Sequence, residues 1–300
     1  MTESVVNKVS VRRRRVLSRR GFFRALAGVG VAGASAYGYG ATWGVHQLVT
    51  EHVTVPIRNL AARWHGKRIV QLSDLHAGRT SMAHINRALE TALDLQPEII
   101  VITGDFVDNN RVDPAELCEA LRRVTAKVET LGITGNHDFS HIFNNLAFVN
   151  RVCDALLGAG VRMLRNGIFQ PRAGKGEICF VGVEDYWSGR LNAETVRHAP
   201  ADSAVVVLSH NPDSYEILDA FRFDLMLSGH THGGQVCVPF FGPLILPVEH
   251  RERAAGLFHL NPAFPERALY VSRGVGHILQ VRLFCPPEVT CFTLRNPAMP

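Results

Sequence analysis

Apolar positions along this chain fall into two rhythms. Runs in which nearly every residue is apolar, such as Ile99-Ile100-Val101-Ile102-Thr103 and Ala204-Val205-Val206-Val207-Leu208, read as strands covered on both faces. Residues 68–73, 131–134, 161–164, 168–170, 178–183 and 223–227 read the same way, followed late in the chain by 269–272, 281–284 and 289–294. Between the early runs the apolar residues recur at helical spacing. One helix is expected over 82–93, capped by Ser81. A second opens at Asp113-Pro114-Ala115-Glu116, with cap, first-turn proline and capping glutamate, and a third covers 142–157. Strand and helix in alternation predict an α/β domain over residues 66–298, with no linker inside it.

Polar residues punctuate the strand ends. Asp74-Leu75-His76 follows the first strand, Gly104-Asp105 the second, and Gly135-Asn136-His137-Asp138 the third. Asp74 to Asp105 is 31 residues (105 − 74), and Asp105 to Asn136 is 31 again (136 − 105), about one strand–helix–strand unit. His210 follows a later strand, and Gly229-His230-Thr231-His232-Gly233-Gly234-Gln235 the next. Ligands of such sheets gather beyond the carboxyl ends of the strands. Two histidines at alternate positions fit a metal site or a polar turn equally well; the companion ligands decide for the metal. Asp74, His76, Asp105, Asn136, His210, His230 and His232 make two mixed nitrogen–oxygen sites. A carboxylate such as Asp105 can bridge two cations held roughly 3.5–4 Å apart.

These five blocks, in this order and spacing, resemble the calcineurin-like metallophosphoesterases, and the resemblance covers roughly residues 66–298. It implies a four-layer α/β/β/α sandwich, two mixed sheets flanked by helices. It further implies one metal on Asp74, His76, Asp105 and His232, and a second on Asp105, Asn136, His210 and His230. A bridging hydroxide would then attack a phosphoester. His137 resembles the family's histidine that assists the leaving oxygen, with Asp138 orienting it by a hydrogen bond. The donor mix suits Mn, Fe or Zn. Purple acid phosphatases carry a tyrosine three residues after the bridging aspartate; Asp108 stands there, which argues against that branch.

Within the family the likeness is to exported or membrane-tethered bacterial phosphodiesterases, through Gly-His-Thr-His-Gly-Gly-Gln, Ser272-Arg273-Gly274-Val275-Gly276 and Pro286-Pro287-Glu288. Relatives there include pyrophosphatases of the UDP-2,3-diacylglucosamine type, which is the alternative substrate class. A non-catalytic metal-binding scaffold at the membrane is the alternative from another class; the complete ligand set speaks against it. The uncharged run 236–247 is either a rim that meets acyl chains or a proline-kinked segment packed on the core. Arg79 and Arg273 are candidates for gripping phosphate oxygens, or ordinary ion-paired arginines.

Charge changes the picture only at the N-terminus. Of the net +5, residues 1–24 contribute eight basic residues against Glu3, a net of +7, leaving 5 − 7 = −2 for the rest. No nucleic-acid partner is expected of a body so nearly neutral. Ser18-Arg19-Arg20-Gly21-Phe22-Phe23 followed by a Gly/Ala-rich run to Val45 resembles a twin-arginine export signal, with Ala34-Ser35-Ala36 as a cleavage site. An uncleaved anchor is the alternative. Residues 1–45 are thus read as signal or anchor and 46–65 as a linker, with the export machinery and a membrane surface as partners and an extracytoplasmic location favoured. Six cysteines show no C-x-x-C spacing; only Cys285 and Cys291 lie near enough in sequence for a disulfide, and no pairing is expected from that alone.

Overall fold

A computed structural model describes residues 19–58, 60–109, 112–140, 145–172 and 177–299. The chain divides into two compact units, residues 1–38 and 39–300. Helix α1 (Arg19–Thr42) is followed by β1 (Val49–Pro56), β2 (Arg68–Leu72), α2 (Met82–Asp94), β3 (Ile99–Thr103), α3 (Ala115–Thr125) and β4 (Glu129–Ile133). Then come α4 (Leu146–Gly158), β5 (Arg162–Met163), β6 (Gly167–Phe169), β7 (Ile178–Gly182), β8 (Ala204–Leu208), α5 (Tyr215–Leu218) and β9 (Leu225–Ser228). The chain closes with β10 (Cys237–Val238), β11 (Gly242–Pro243), β12 (Gly256–Phe258), β13 (Ala268–Val271) and β14 (Glu288–Arg295).

Two six-stranded mixed sheets form, ordered β1-β14-β2-β3-β4-β5 and β12-β13-β9-β8-β7-β6. In the first, β2, β3, β4 and β5 run parallel and β14 is antiparallel to β2; in the second, β7, β8, β9 and β13 run parallel. Alternation along each strand explains the layering. Ile69, Val101, Leu131 and Ile133 face Phe180, Val206, Leu208 and Leu227 of the other sheet, making the central core. Their neighbours Val70, Leu72, Ile100 and Ile102 turn outward onto α2, α3 and α4. On the far side Val181, Val205, Val207 and Met226 meet Val196, Tyr215 and Leu218 from short helical turns and Phe223 from the loop before β9. The result is the four-layer α/β/β/α sandwich, with a thin outer layer over the second sheet.

Two expectations need correction. Residues 46–65 are no linker: β1 lies parallel to β14 along all eight of its residues, Val49 with Glu288 through Pro56 with Arg295. Residues 281–284 are no strand; their one bridge joins Leu283 to Val236, and Arg282 at the centre is turned wholly inside. Cys285 and Cys291 are both free thiols. The third helix begins at Leu146, the expected start at Ile142 lying outside the described residues. Among the described residues no helix is long and apolar enough to cross a membrane.

Candidate metal centre

Each candidate ligand sits where a buried strand gives way to a loop. Asp74 and His76 follow β2, Asp105 follows β3, Asn136 follows β4, His210 follows β8, and His230 and His232 follow β9. Every one is buried, none more than 5% exposed. Five of these seven adopt left-handed backbone: Asp74 (φ 54°), His76 (φ 46°), Asp105 (φ 54°), His230 (φ 70°) and His232 (φ 50°). L-residues avoid that region at a cost of about 1–2 kcal/mol each. Strain concentrated at one set of side chains marks a functional constellation. Gly229 permits the approach of the two sheets here, since a Cβ at that position would overlap Ser73 Oγ and Asp74 Oδ2.

The donor atoms converge in two groups. His76 Nε2 and His232 Nε2 stand 3.1 Å apart, with Asp74 Oδ1 3.4 Å from the latter and Asp105 Oδ2 3.4 Å from the former. Two imidazole nitrogens about 2.1 Å from one cation would stand roughly 3.0–3.4 Å apart, so the pair is spaced for a shared ion. In the second group Asn136 Oδ1 lies 2.8 Å from His230 Nδ1 and 3.2 Å from His210 Nε2. Asp105 Oδ2 is again near, 3.2 Å from His210 Nε2. One oxygen therefore belongs to both groups.

Proton positions tell what these atoms want. His210 Nδ1 donates to Thr103 O at 2.7 Å, and His230 Nε2 donates to Pro247 O at 3.1 Å. The other nitrogen of each ring then faces the Asn136 and Asp105 oxygens, as a lone pair wherever that ring is neutral. Burial holds His76 and His230 down to about 3 and His232 well below its ordinary value, keeping these imidazoles neutral. Burial pushes Asp105 up, but His210 and His137 override it and hold the carboxylate ionised, well below its ordinary value. Burial likewise opposes a charge on His210, and Asp105 overrides that too, raising the imidazole well above its ordinary value. A proton on His210 meets part of the demand of these converging acceptors; divalent cations meet all of it. The residues fit two metal ions, and Asp74-His76-His232 and Asp74-Asp105-His210 both come within ligand range of a common point.

His137 stands at the edge of this cluster, its ring 4.7 Å from that of His76. Its orientation differs from expectation. Asp138 accepts from the backbone amides of Gly135 (2.9 Å) and Val107 (3.2 Å), bracing the loop, and burial raises its carboxyl to about 7. The imidazole is fixed by Asp108 instead: Nδ1 donates to the Asp108 carbonyl at 2.8 Å. The Asp108 carboxylate also lies 3.8 Å from Nδ1 of both His76 and His137.

Of the two readings open for the candidate phosphate clamps, both arginines take the ion-paired one. Arg79 forks onto Asp108 (2.7 and 3.0 Å), and Arg273 is taken by Glu288 (2.5 Å) and Glu51. Arg282, unmarked by the motifs, matters more to the architecture. Its buried guanidinium donates to the carbonyls of Arg273 (2.7 Å), Gly276 (2.5 Å) and His232 (3.3 Å), tying a ligand loop to its neighbour. A single arginine inside an apolar stretch is the sequence signal that could have flagged it.

Comparison with known proteins agrees with this geometry. The family model of the calcineurin-like phosphoesterase matches residues 67–234. Phosphodiesterase YaeI of Escherichia coli (strain K12) is 32% identical over 285 residues, covering 93% of this chain and 100% of that protein. The metallophosphoesterase YkuE of Bacillus subtilis (strain 168) is 30% identical, covering 93% and 98%. UDP-2,3-diacylglucosamine pyrophosphatase LpxG of Chlamydia trachomatis is 30% identical, covering 76% and 83%. Converging donors at the ends of β2, β3, β4, β8 and β9 and these similarities give one conclusion: the chain belongs to the calcineurin-like phosphoesterase family.

Proposed function

We propose that this hydrolase acts as a phosphodiesterase, with Asp74, His76, Asp105 and His232 holding one cation and Asp105, Asn136, His210 and His230 the other. The observation that supports it best is Asp105 Oδ2, within 3.4 Å of His76 Nε2 and 3.2 Å of His210 Nε2 at once. Mn, Fe and Zn all suit the donors. When bound, the two cations supply Lewis-acid charge at the phosphoryl oxygens and a nucleophilic water at neutral pH. The chain's own residues do the rest. Neutral imidazoles complete each shell without adding charge, and the buried walls exclude bulk water. His137, with Nδ1–H given to Asp108 O, presents Nε2 to the substrate; as the imidazolium it gives the Nε2 proton to the departing oxygen and is left neutral.

Turnover of bis(p-nitrophenyl) phosphate with added Mn²⁺ tests the reading. We expect activity that collapses to the metal-free rate in Asp105→Ala; full activity in that variant would refute the bridging role. A second reading, cleavage of the pyrophosphate in an acylated sugar nucleotide, draws support from the similarity to LpxG. Direct comparison of UDP-2,3-diacylglucosamine with simple diesters separates the two.

Export through a twin-arginine route to an extracytoplasmic, membrane-facing location is part of the same proposal. Its support is the Arg19-Arg20 pair that opens the Gly/Ala-rich helix α1. Arg19→Lys with Arg20→Lys should leave folded protein in the cytoplasm on fractionation, and unchanged export would refute the route.

A further inference from the structure

Beside the metal ligands lies a cavity of about 380 Å³, a volume within the range of small-ligand sites. One wall is the candidate centre itself, with Asp105, Asn136, His137, His230 and His232. The rest of the lining is largely apolar, with Trp187, Val236, Leu244, Ile245, Ile278 and Leu279. No lysine or arginine is among the described residues that line it. The multiple phosphates of a nucleotide would find no cationic partner along that wall. A hydrocarbon would find only surface like its own.

This wall is built rather than loose. Gln235 Nε2 donates to the carbonyls of Leu279 (2.6 Å) and Val281 (3.0 Å), and its Oε1 accepts from the amides of Ile278 (2.9 Å) and Leu279 (3.2 Å). On the other flank Leu244 N donates to Val236 O at 3.1 Å. Gly234 (φ +79°) lets the wall pack onto the ligand loop; a Cβ there would crowd Ile245 O at 2.8 Å. Trp187 closes the end edge-on against His230, their centroids 4.4 Å apart. The side chains at the mouth nonetheless face water, with Ile245 73% and Leu279 61% exposed. The apolar surface continues outward to Phe240 and Phe241 at the tip of the β10–β11 hairpin, both exposed, and Phe240 holds φ 69°. An apolar surface held rigid and exposed, in line with a hydrolytic centre, is a binding surface.

The geometry points to a substrate that is an amphiphile: a lipid-type phosphoester whose alkyl or acyl chain lies along Trp187, Leu244, Ile245 and Leu279 while its phosphate meets Asp105, Asn136 and His137. This rests on the phosphodiesterase reading and adds the class of substrate. The test uses the full-length, Mn²⁺-loaded protein and p-nitrophenyl phosphodiesters bearing methyl, butyl and octyl groups, each below its aggregation threshold. kcat/KM should rise by at least roughly 100-fold from methyl to octyl, as burial of the added methylenes requires. Ile245→Asp with Leu279→Asp, two substitutions at exposed positions, should cut that gain below about tenfold. Equal rates for the three esters in the unaltered protein, or an undiminished gain in the double variant, would overturn the proposal.

Trp187 supplies a readout independent of turnover. Octylphosphonate should quench or shift its fluorescence at concentrations where methylphosphonate does not, and the response should vanish in Trp187→Phe. If no ester is turned over, the phosphodiesterase reading fails while this titration still decides the pocket. A response to nucleoside monophosphates in place of octylphosphonate, or no response, would overturn the lipid assignment.

Discussion

His137 poses the sharpest question at the scale of single residues, because position alone gives it two roles. It lies within ligand range of a point shared with His76 and Asp108, yet its Nδ1 is committed to the Asp108 carbonyl. As the proton carrier it should be dispensable for metal binding. His137→Ala is expected to keep near-normal metal content by elemental analysis and to lose turnover at least ~100-fold, the scale of one general acid. Loss of a metal equivalent would move His137 into the ligand set. The seven candidate donors were legible in the sequence because each type is fixed by what it offers a cation: a carboxylate, an amide oxygen or a neutral imidazole. Their partners were not. What orients His137 is a backbone carbonyl, which every residue possesses, so no side-chain pattern could name Asp108. Which of two roles Arg79 and Arg273 take was open in the sequence for a related reason. Their carboxylate partners lie 29 residues away at Asp108 and 222 away at Glu51, distances that only the fold brings together.

The strands legible in sequence were those buried on both faces, such as β3, β7 and β8, where five consecutive residues are buried. β1 escaped because it is an edge strand with mixed exposure, and its Val49-Thr50-Glu51-His52 start carries too few apolar residues to stand out. The error at 281–284 was the reverse. Its apolar residues suggested a strand, while Arg282 uses the segment to satisfy carbonyls of the His232 loop and of the loop that follows β13. Among the helices, α2 shows how an element braces the site indirectly. His84 on its buried face bonds Val275 O at 3.2 Å, and Val275 N in turn reaches Ser73 O just before the Asp74 ligand. Burial holds His84 down to about 4 against an ordinary value of 6.5, so it is neutral in the folded chain at pH 7. Below pH 6.5 the unfolded chain takes up a proton that the folded one refuses until about pH 4. Stability from this group is complete above pH 6.5 and is lost as the pH falls toward 4. Thermal melts of chelator-treated protein across that window should decline less steeply in His84→Gln than in the parent. Parallel slopes would remove His84 as a source of acid sensitivity.

Across the whole molecule the candidate centre is where the two sheets meet. Asp74, His76, Asp105 and Asn136 hang from the first sheet, and His210, His230 and His232 from the second. The central core holds these sheets together by apolar contact, but at the ligand end the facing groups are lone pairs and carboxylates, which contribute no such attraction. Cations there would be shared by both sheets, and their binding energy would then be folding energy for the domain as a unit. An ion present at about 1,000 times its dissociation constant adds about 4 kcal/mol to the folded state. For a domain of this size each kcal/mol moves the melting temperature by roughly 2–4 °C. Stripping one tight ion should therefore lower the melting temperature by about 10 °C, and adding Mn²⁺ back should restore it. The same titration on Asp105→Ala discriminates further, since that carboxylate oxygen belongs to both donor groups and its loss should abolish most of the metal-dependent shift. A melting curve indifferent to chelator in the parent protein would mean that the sheets are held without the ions, and that the strained ligand loops owe their shape to the glycines, to Arg282 and to hydrogen bonds such as those of Asp138 and Asp74.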